Sequence, residues 1–219
     1  MPNESELNAL VRDVTIFHPG AEASVDPTTS YLGGTPFAPS GTAWPNAMTC
    51  LGRFGFAADS WSPGNARWIT VFLNEAEGYV EWGDADHVTI WAHGAGEDLA
   101  PVRAPDGVRV IPARALVLND GKELPYDKRL GDWQWEAELD DLRRRLTNND
   151  GGHCQLGGYP TVYGGFESLG LMEDPGSYEL VLKLNRYPLG KERFDVEIHD
   201  VLNVYFHPES GEFYAEMQR

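Results

Sequence analysis

His153 and Cys154 stand side by side in a glycine-rich stretch, Gly151-Gly152-His153-Cys154-Gln155-Leu156-Gly157-Gly158. A thiolate beside an imidazolium is how cysteine nucleophiles are activated. Neighbours on an extended segment point to opposite sides, so the same letters also describe a small packed cysteine and a loop histidine that only hydrogen-bonds. His199-Asp200, and Asp84 with Asp86-His87, offer acid/base dyads or oxygen and nitrogen ligands. They lack the spacing of H-E-x-x-H or C-x-x-C pairs, and aspartates of this kind also cap turns, so no metal is expected. The pair Asp84/Asp86 has the composition of a glycosidase site, yet close acid pairs arise by chance in a chain carrying 34 of them. No G-x-S-x-G, Walker loop or G-x-G-x-x-G after a strand occurs, which disfavours serine-hydrolase and nucleotide-dependent chemistry, and no cofactor is expected.

Strands must position these residues. Segments 49–56, 68–73, 88–92 and 108–118 are rich in β-branched or aromatic residues and bounded by Gly, Pro, Asn or Asp. Three more strands are expected at 178–185, 201–206 and 212–218, the last two joined by the turn His207-Pro208-Glu209-Ser210-Gly211. Helices are expected at the flanks. Leu7, Leu10, Val11 and Val14 fall at i, i+3, i+4 and i+7, and Trp135, Leu139, Leu142 and Leu146 mark a second stripe over about 133–146 whose acids precede its bases.

Tyr31-Leu32-Gly33-Gly34-Thr35-Pro36 returns in kind as Gln155-Leu156-Gly157-Gly158-Tyr159-Pro160. A Gly-Gly pair lets the backbone take φ > 0 or approach another strand closely, and the following Pro pushes its predecessor into an extended conformation. Downstream, Asp86 precedes His93 by the same interval as Asp200 precedes His207. The chain is therefore expected to be a single domain of two pseudo-repeats, about 15–120 and 150–219, joined by the helical segment near 133–146.

This pattern resembles the YwqG-like family, a bacterial family of undetermined function. The resemblance rests on Gly33-Gly34-Thr35-Pro36, Trp44-Pro45, His153 ahead of Gly157-Gly158-Tyr159-Pro160, the apolar segment 178–185, and Gln218. Two departures stand out. Arg53 and Lys183 occupy apolar strands where the family usually carries glutamine, and Trp82-Gly83-Asp84 lies in the first half while the second has Ile198-His199-Asp200. The resemblance implies an α+β fold, mainly antiparallel sheet with flanking helices and an internal duplication. It also implies kinship in context with immunity proteins of bacterial toxin systems.

Bulk properties narrow the partners. A formal charge of −17 and a pI near 4.6 repel phosphate backbones and anionic lipid over about 8 Å at physiological salt, so neither nucleic acid nor membrane is expected. The N-terminal residues have no basic region and no apolar core of a signal peptide, and Cys50 and Cys154 form no disulfide framework, which predicts a cytoplasmic protein with reduced thiols. Of the seven tryptophans, Trp61 and Trp133 or Trp135 are expected to be exposed and most others to lie in the core.

The expected function is a non-enzymatic protein-binding module for a basic partner, in the family context an immunity protein against a basic toxin domain. The expected contacts are Glu81, Asp84, Asp86, Trp133 and Glu136. The alternative is an enzyme or small-ligand binder using a cleft between the repeats, lined by the Gly-Gly loops, where His153, Cys154, His199 and Asp200 converge. The oligomeric state is left open by the sequence.

Overall fold

The computed structural model describes residues 4–57, 61–74, 87–124, 154–159, 178–185 and 201–218. The opening helix is shorter than its spacing predicts. Helix α1 covers only Glu4–Asn8, and the chain then enters strand β1, Arg12–Glu22. Val14 and Ile16 are buried there, because β-branched residues with a partner strand on either side satisfy strand geometry better than a second helical turn.

Among the described residues eleven further strands follow. They are β2 (Tyr31–Leu32), β3 (Phe37–Pro39), β4 (Thr49–Gly55), β5 (Trp68–Leu73), β6 (Val88–His93), β7 (Leu99–Pro101), β8 (Arg114–Glu123), β9 (Cys154–Leu156), β10 (Glu179–Asn185) and β11 (Val201–His207). Strand β12 (Glu212–Gln218) completes the set. One antiparallel sheet runs β12-β11-β10-β9-β1-β8-β2-β4-β5-β6, and β3 and β7 pair separately. The expected α+β class with flanking helices is therefore corrected to an antiparallel β fold, α1 being the sole α-helix among the described residues. The expected helix at 133–146 lies outside them.

The sheet curls into a nearly closed, barrel-like wall. Ile69 and Val71 of β5 consequently share one core with Leu202 and Val204 of β11, alongside Phe17, Leu51 and Phe54. Each such side chain, fully withdrawn from water, contributes about 1.5–3 kcal/mol of transfer free energy. A second cluster, Trp44, Met48, Cys50 and Phe72, lies on the opposite face of β4 and β5, with Val102 and Ala104 packed against it.

Two four-stranded meanders flank the central β1–β8 ribbon in matching register. On one side, β2 pairs β4 through Tyr31↔Arg53 and Leu32↔Gly52; on the other, β9 meets β10 through Gln155↔Lys183 and Leu156↔Leu182. Each meander carries a bulge at the same place, between Cys50 and Gly52 in β4 and between Leu180 and Leu182 in β10. The carbonyls of the bulged residues accept from the Gly-Gly loops, Gly33 N–H to Leu51 at 2.8 Å and Gly157 N–H to Val181 at 3.0 Å.

Strand β8 departs from its expected span of 108–118 by starting later and running on through Asn119-Asp120-Gly121. Gly121 serves close packing here, not a turn. A Cβ at that position would collide with the Ile16 side chain and lie 3.1 Å from Val14 Cγ2 across the ribbon.

Candidate functional site: two buried polar rows under Gly-Gly loops

Directly opposed residues on neighbouring strands share a face, so the registers define rows of side chains across each meander. In the second meander the row is Gln155, Lys183, Asn203 and Glu216, all 3 % exposed or less. The equivalent row in the first is Tyr31, Arg53, Thr70 and Trp91. Both rows lie away from the barrel core, and each begins beneath its own Gly-Gly loop.

In the second row the buried cation has its counter-ion. Lys183 Nζ lies 2.7 Å from Glu123 Oε1, while Glu123 Oε2 accepts from Gln155 Nε2 at 2.6 Å and from the Tyr159 amide at 2.7 Å. Further along, Glu216 Oε1 accepts from Tyr205 Oη at 2.6 Å and Asn203 Nδ2 at 3.3 Å. Burial, reinforced by that carboxylate, pushes the Tyr205 phenol well above its ordinary range and keeps it a donor.

The first row differs. Arg53, fully buried, donates from Nη1 to the Phe37 carbonyl at 3.3 Å and from Nη2 to the Pro27 carbonyl at 3.0 Å, and its guanidinium carbon lies 4.7 Å from the Trp68 ring centroid. Among the described residues its Nε has no partner, and neither do Thr70 Oγ1 or His93 Nε2. His93 Nδ1 is 3.2 Å from Glu97 Oε2, and the Gly94 amide also donates to Glu97. Burial lowers the His93 pKa, with Glu97 working against that shift, while the Gly94 amide and His93 hold the Glu97 carboxyl below its ordinary value.

The Gly-Gly loops explain why the halves differ. A Cβ on Gly158 would meet Glu123, Gln155 and Val14; one on Gly34 would meet Val25 at 2.6 Å, Ala113 at 3.0 Å and Tyr31 at 3.1 Å. Tyr31 thus stands where Gln155 does, Ala113 where Val14 does, and Val25 where Glu123 does. The first half has a valine in the place of the second half's counter-ion.

A third feature lies on the rim where β10 begins and β11 ends. Tyr178 packs edge-on against His207 at 4.8 Å and Tyr214 at 5.5 Å, and Tyr214 Oη donates to Glu212 Oε2 at 2.7 Å. Beside them Trp61, 44 % exposed, donates from Nε1 to Glu179 Oε2 at 3.0 Å. Two aromatic–carboxylate pairs, Tyr214–Glu212 and Trp61–Glu179, therefore lie near this end of the sheet, one toward each face.

Of the residues expected to act, Glu81, Asp84, Asp86, Trp133, Glu136, His153, His199 and Asp200 lie outside the described residues. Cys154 is described and is closed off. Its Sγ is fully buried between the Asn185 amide at 3.2 Å and carbonyl at 3.5 Å, and burial pushes the thiol up to about 12. Nor do the Gly-Gly loops line a shared cleft. Gly158 packs against Val14 and Gly34 against Ala113, at opposite ends of the β1–β8 ribbon, a separation on the order of 25 Å at about 3.3 Å per residue.

An open groove of about 670 Å³ does exist between 38–44 and 100–106, lined by Pro39, Trp44, Val102, Arg103 and Asp106 among others, away from Cys154. Among the described residues no group of three His, Cys, Asp or Glu side chains comes together as a metal site, and no helix is long and apolar enough to cross a membrane. No protein-family model matches the chain, and no curated protein does.

Sequence reasoning marked Arg53 and Lys183 as departures from a family pattern but did not pair either with a partner. The signal was the charge itself, since Leu182-Lys183-Leu184 and Leu51-Gly52-Arg53-Phe54 place a cation where a strand buried on both faces tolerates none without compensation. Glu123 gave no comparable signal, because it follows Asn119-Asp120-Gly121, which reads as a turn.

Proposed function

We propose that the chain is a non-enzymatic, cytoplasmic protein-binding module for a basic partner, acting as an immunity protein acts on a basic toxin domain. The observation that carries this is the end of the β10–β12 sheet, where Tyr178, His207 and Tyr214 cluster beside Glu212, and Trp61 hydrogen-bonds Glu179. Aromatic side chains dominate interface hot spots, and carboxylates beside them suit the guanidinium and ammonium groups of a cationic surface. The chain's charge of −17 adds long-range attraction that raises the association rate at low salt. The acids Glu81, Asp84, Asp86 and Glu136, with Trp133, belong to the same proposal as further contacts. The resemblance to the YwqG-like family supports it through context alone.

Paired baits test this reading. The wild-type chain and the double variant Glu179→Lys, Glu212→Lys, matched by their circular dichroism melting curves, are exposed to the same native lysate. The wild type is expected to retain a basic protein in stoichiometric amount that the variant loses. Equal retention by both baits, or no basic protein on the wild type, contradicts the proposal.

A further inference from the structure

The two polar rows are built on one plan, yet among the described residues only one of their two cations has a counter-ion. In the second meander the buried cation has a carboxylate, Glu123, whose two oxygens take Lys183 and two N–H donors. In the first meander the equivalent position is Val25, and among the described residues no carboxylate lies within ion-pair distance of Arg53. A guanidinium stays protonated even when buried, and an isolated buried charge is costly.

The nearest acids are committed elsewhere. Asp26 and Glu97 both attract Arg53 electrostatically. Asp26 Oδ1, however, accepts from the Thr28 amide at 2.7 Å and the Thr28 hydroxyl at 2.6 Å, and Glu97 is held by His93 and Gly94. Arg53 offers five N–H donors and uses two on carbonyls, leaving three. Thr70 is its direct cross-strand neighbour, and His93 lies one step diagonally beyond, opposite Trp68. Arg53, Thr70 and His93 are 0 %, 0 % and 6 % exposed, and each presents a polar atom with no partner among the described residues. Half-buried Trp91 lies opposite Thr70 and half-buried Trp68 opposite His93, and the Arg67 guanidinium carbon lies 5.6 Å from the Trp68 ring centroid.

We propose that Arg53, Thr70 and His93 form a binding site for a small carboxylate anion on the outer face of β4, β5 and β6, the ligand supplying the counter-charge that Glu123 supplies to Lys183. A carboxylate is the matching class because the twin position is filled by one, and because a planar two-oxygen anion suits the free edge of a guanidinium. This site is separate from the aromatic rim and does not depend on it.

The test is a titration of the ¹⁵N-labelled full chain with sodium acetate at constant ionic strength, following the Arg53 Nε–Hε resonance. A saturable shift is expected with Kd at or below about 1 mM. Thr70→Val is expected to weaken the apparent affinity about tenfold while raising the melting temperature of the acetate-free protein, because it removes a buried hydroxyl that has no partner. Val25→Glu, which builds the missing internal counter-ion, is expected to abolish the response. Absence of a saturable shift, or unchanged affinity in Thr70→Val, overturns the proposal, and that second comparison stands alone should Val25→Glu fail to fold.

Discussion

Lys183 lies among Leu180, Val181, Leu182 and Leu184, and its ammonium nevertheless finds Glu123 at 2.7 Å. Removing one partner of such a pair strands the other charge out of water, so Lys183→Met is expected to cost about 3–5 kcal/mol. The double replacement Lys183→Met, Glu123→Leu is expected to recover only part of that loss, since it leaves no buried charge but deprives the Tyr159 amide and Gln155 of their acceptor. Urea unfolding of the three proteins checks both values; a single variant as stable as wild type would show that the pair does not hold the loop. Cys154 gives a second residue-scale expectation. With its thiol pushed up to about 12 and its sulfur enclosed, the folded protein should carry no Cys154 thiolate at neutral pH. Native-state labelling by a thiol reagent at neutral pH should therefore be slow compared with labelling of the denatured chain. Rapid stoichiometric labelling of Cys154 would contradict the burial.

The turns and strands differ in how plainly the sequence announces them. Spans 68–73 and 212–218 coincide with β5 and β12, and 49–56, 88–92, 178–185 and 201–206 are each within a residue of β4, β6, β10 and β11. Strands of this kind are legible because β-branched and aromatic runs end at turn residues. Strand β1 is not, since its apolar residues also fit a helical spacing and Pro19-Gly20 interrupts it; only pairing with β8 and β9 decides the outcome. The Gly-Gly loops are legible for a backbone reason. Gly33, Gly34, Gly157 and Gly158 all adopt φ between 65° and 91°, where side chains other than glycine are strained. Their roles separate by substitution. Gly41→Ala, at φ 90° with open space around it, is expected to cost about 1 kcal/mol of backbone strain alone. Gly158→Ala adds a collision with Glu123 and Gln155 and is expected to cost more than about 2 kcal/mol. Equal losses in chemical denaturation would mean that the buried network yields to an added methyl group.

Taken whole, the molecule joins an acidic chain to a sheet that wraps one apolar core and carries its buried charges on the outer faces. The candidate site was only half legible at this scale. Arg53 and Lys183 are conspicuous in apolar strands, whereas the difference between them depends on Val25 and Glu123, which the chain brings into equivalent places only through register. The aromatic rim is likewise a product of folding, since Trp61, Glu179, His207 and Tyr214 are distant in sequence, although the exposure of Trp61 itself could be read in advance. Binding of a basic protein is the central functional claim, and the excess of acidic over basic side chains, 34 against 17, sets its signature. The most direct measurement is affinity capture of the full chain's partner from native lysate at low and at high salt, with mass spectrometric identification of what is retained. A stoichiometric basic protein held at low salt and released at high salt is the predicted result. Retention of no basic protein, or of one indifferent to salt, would contradict it.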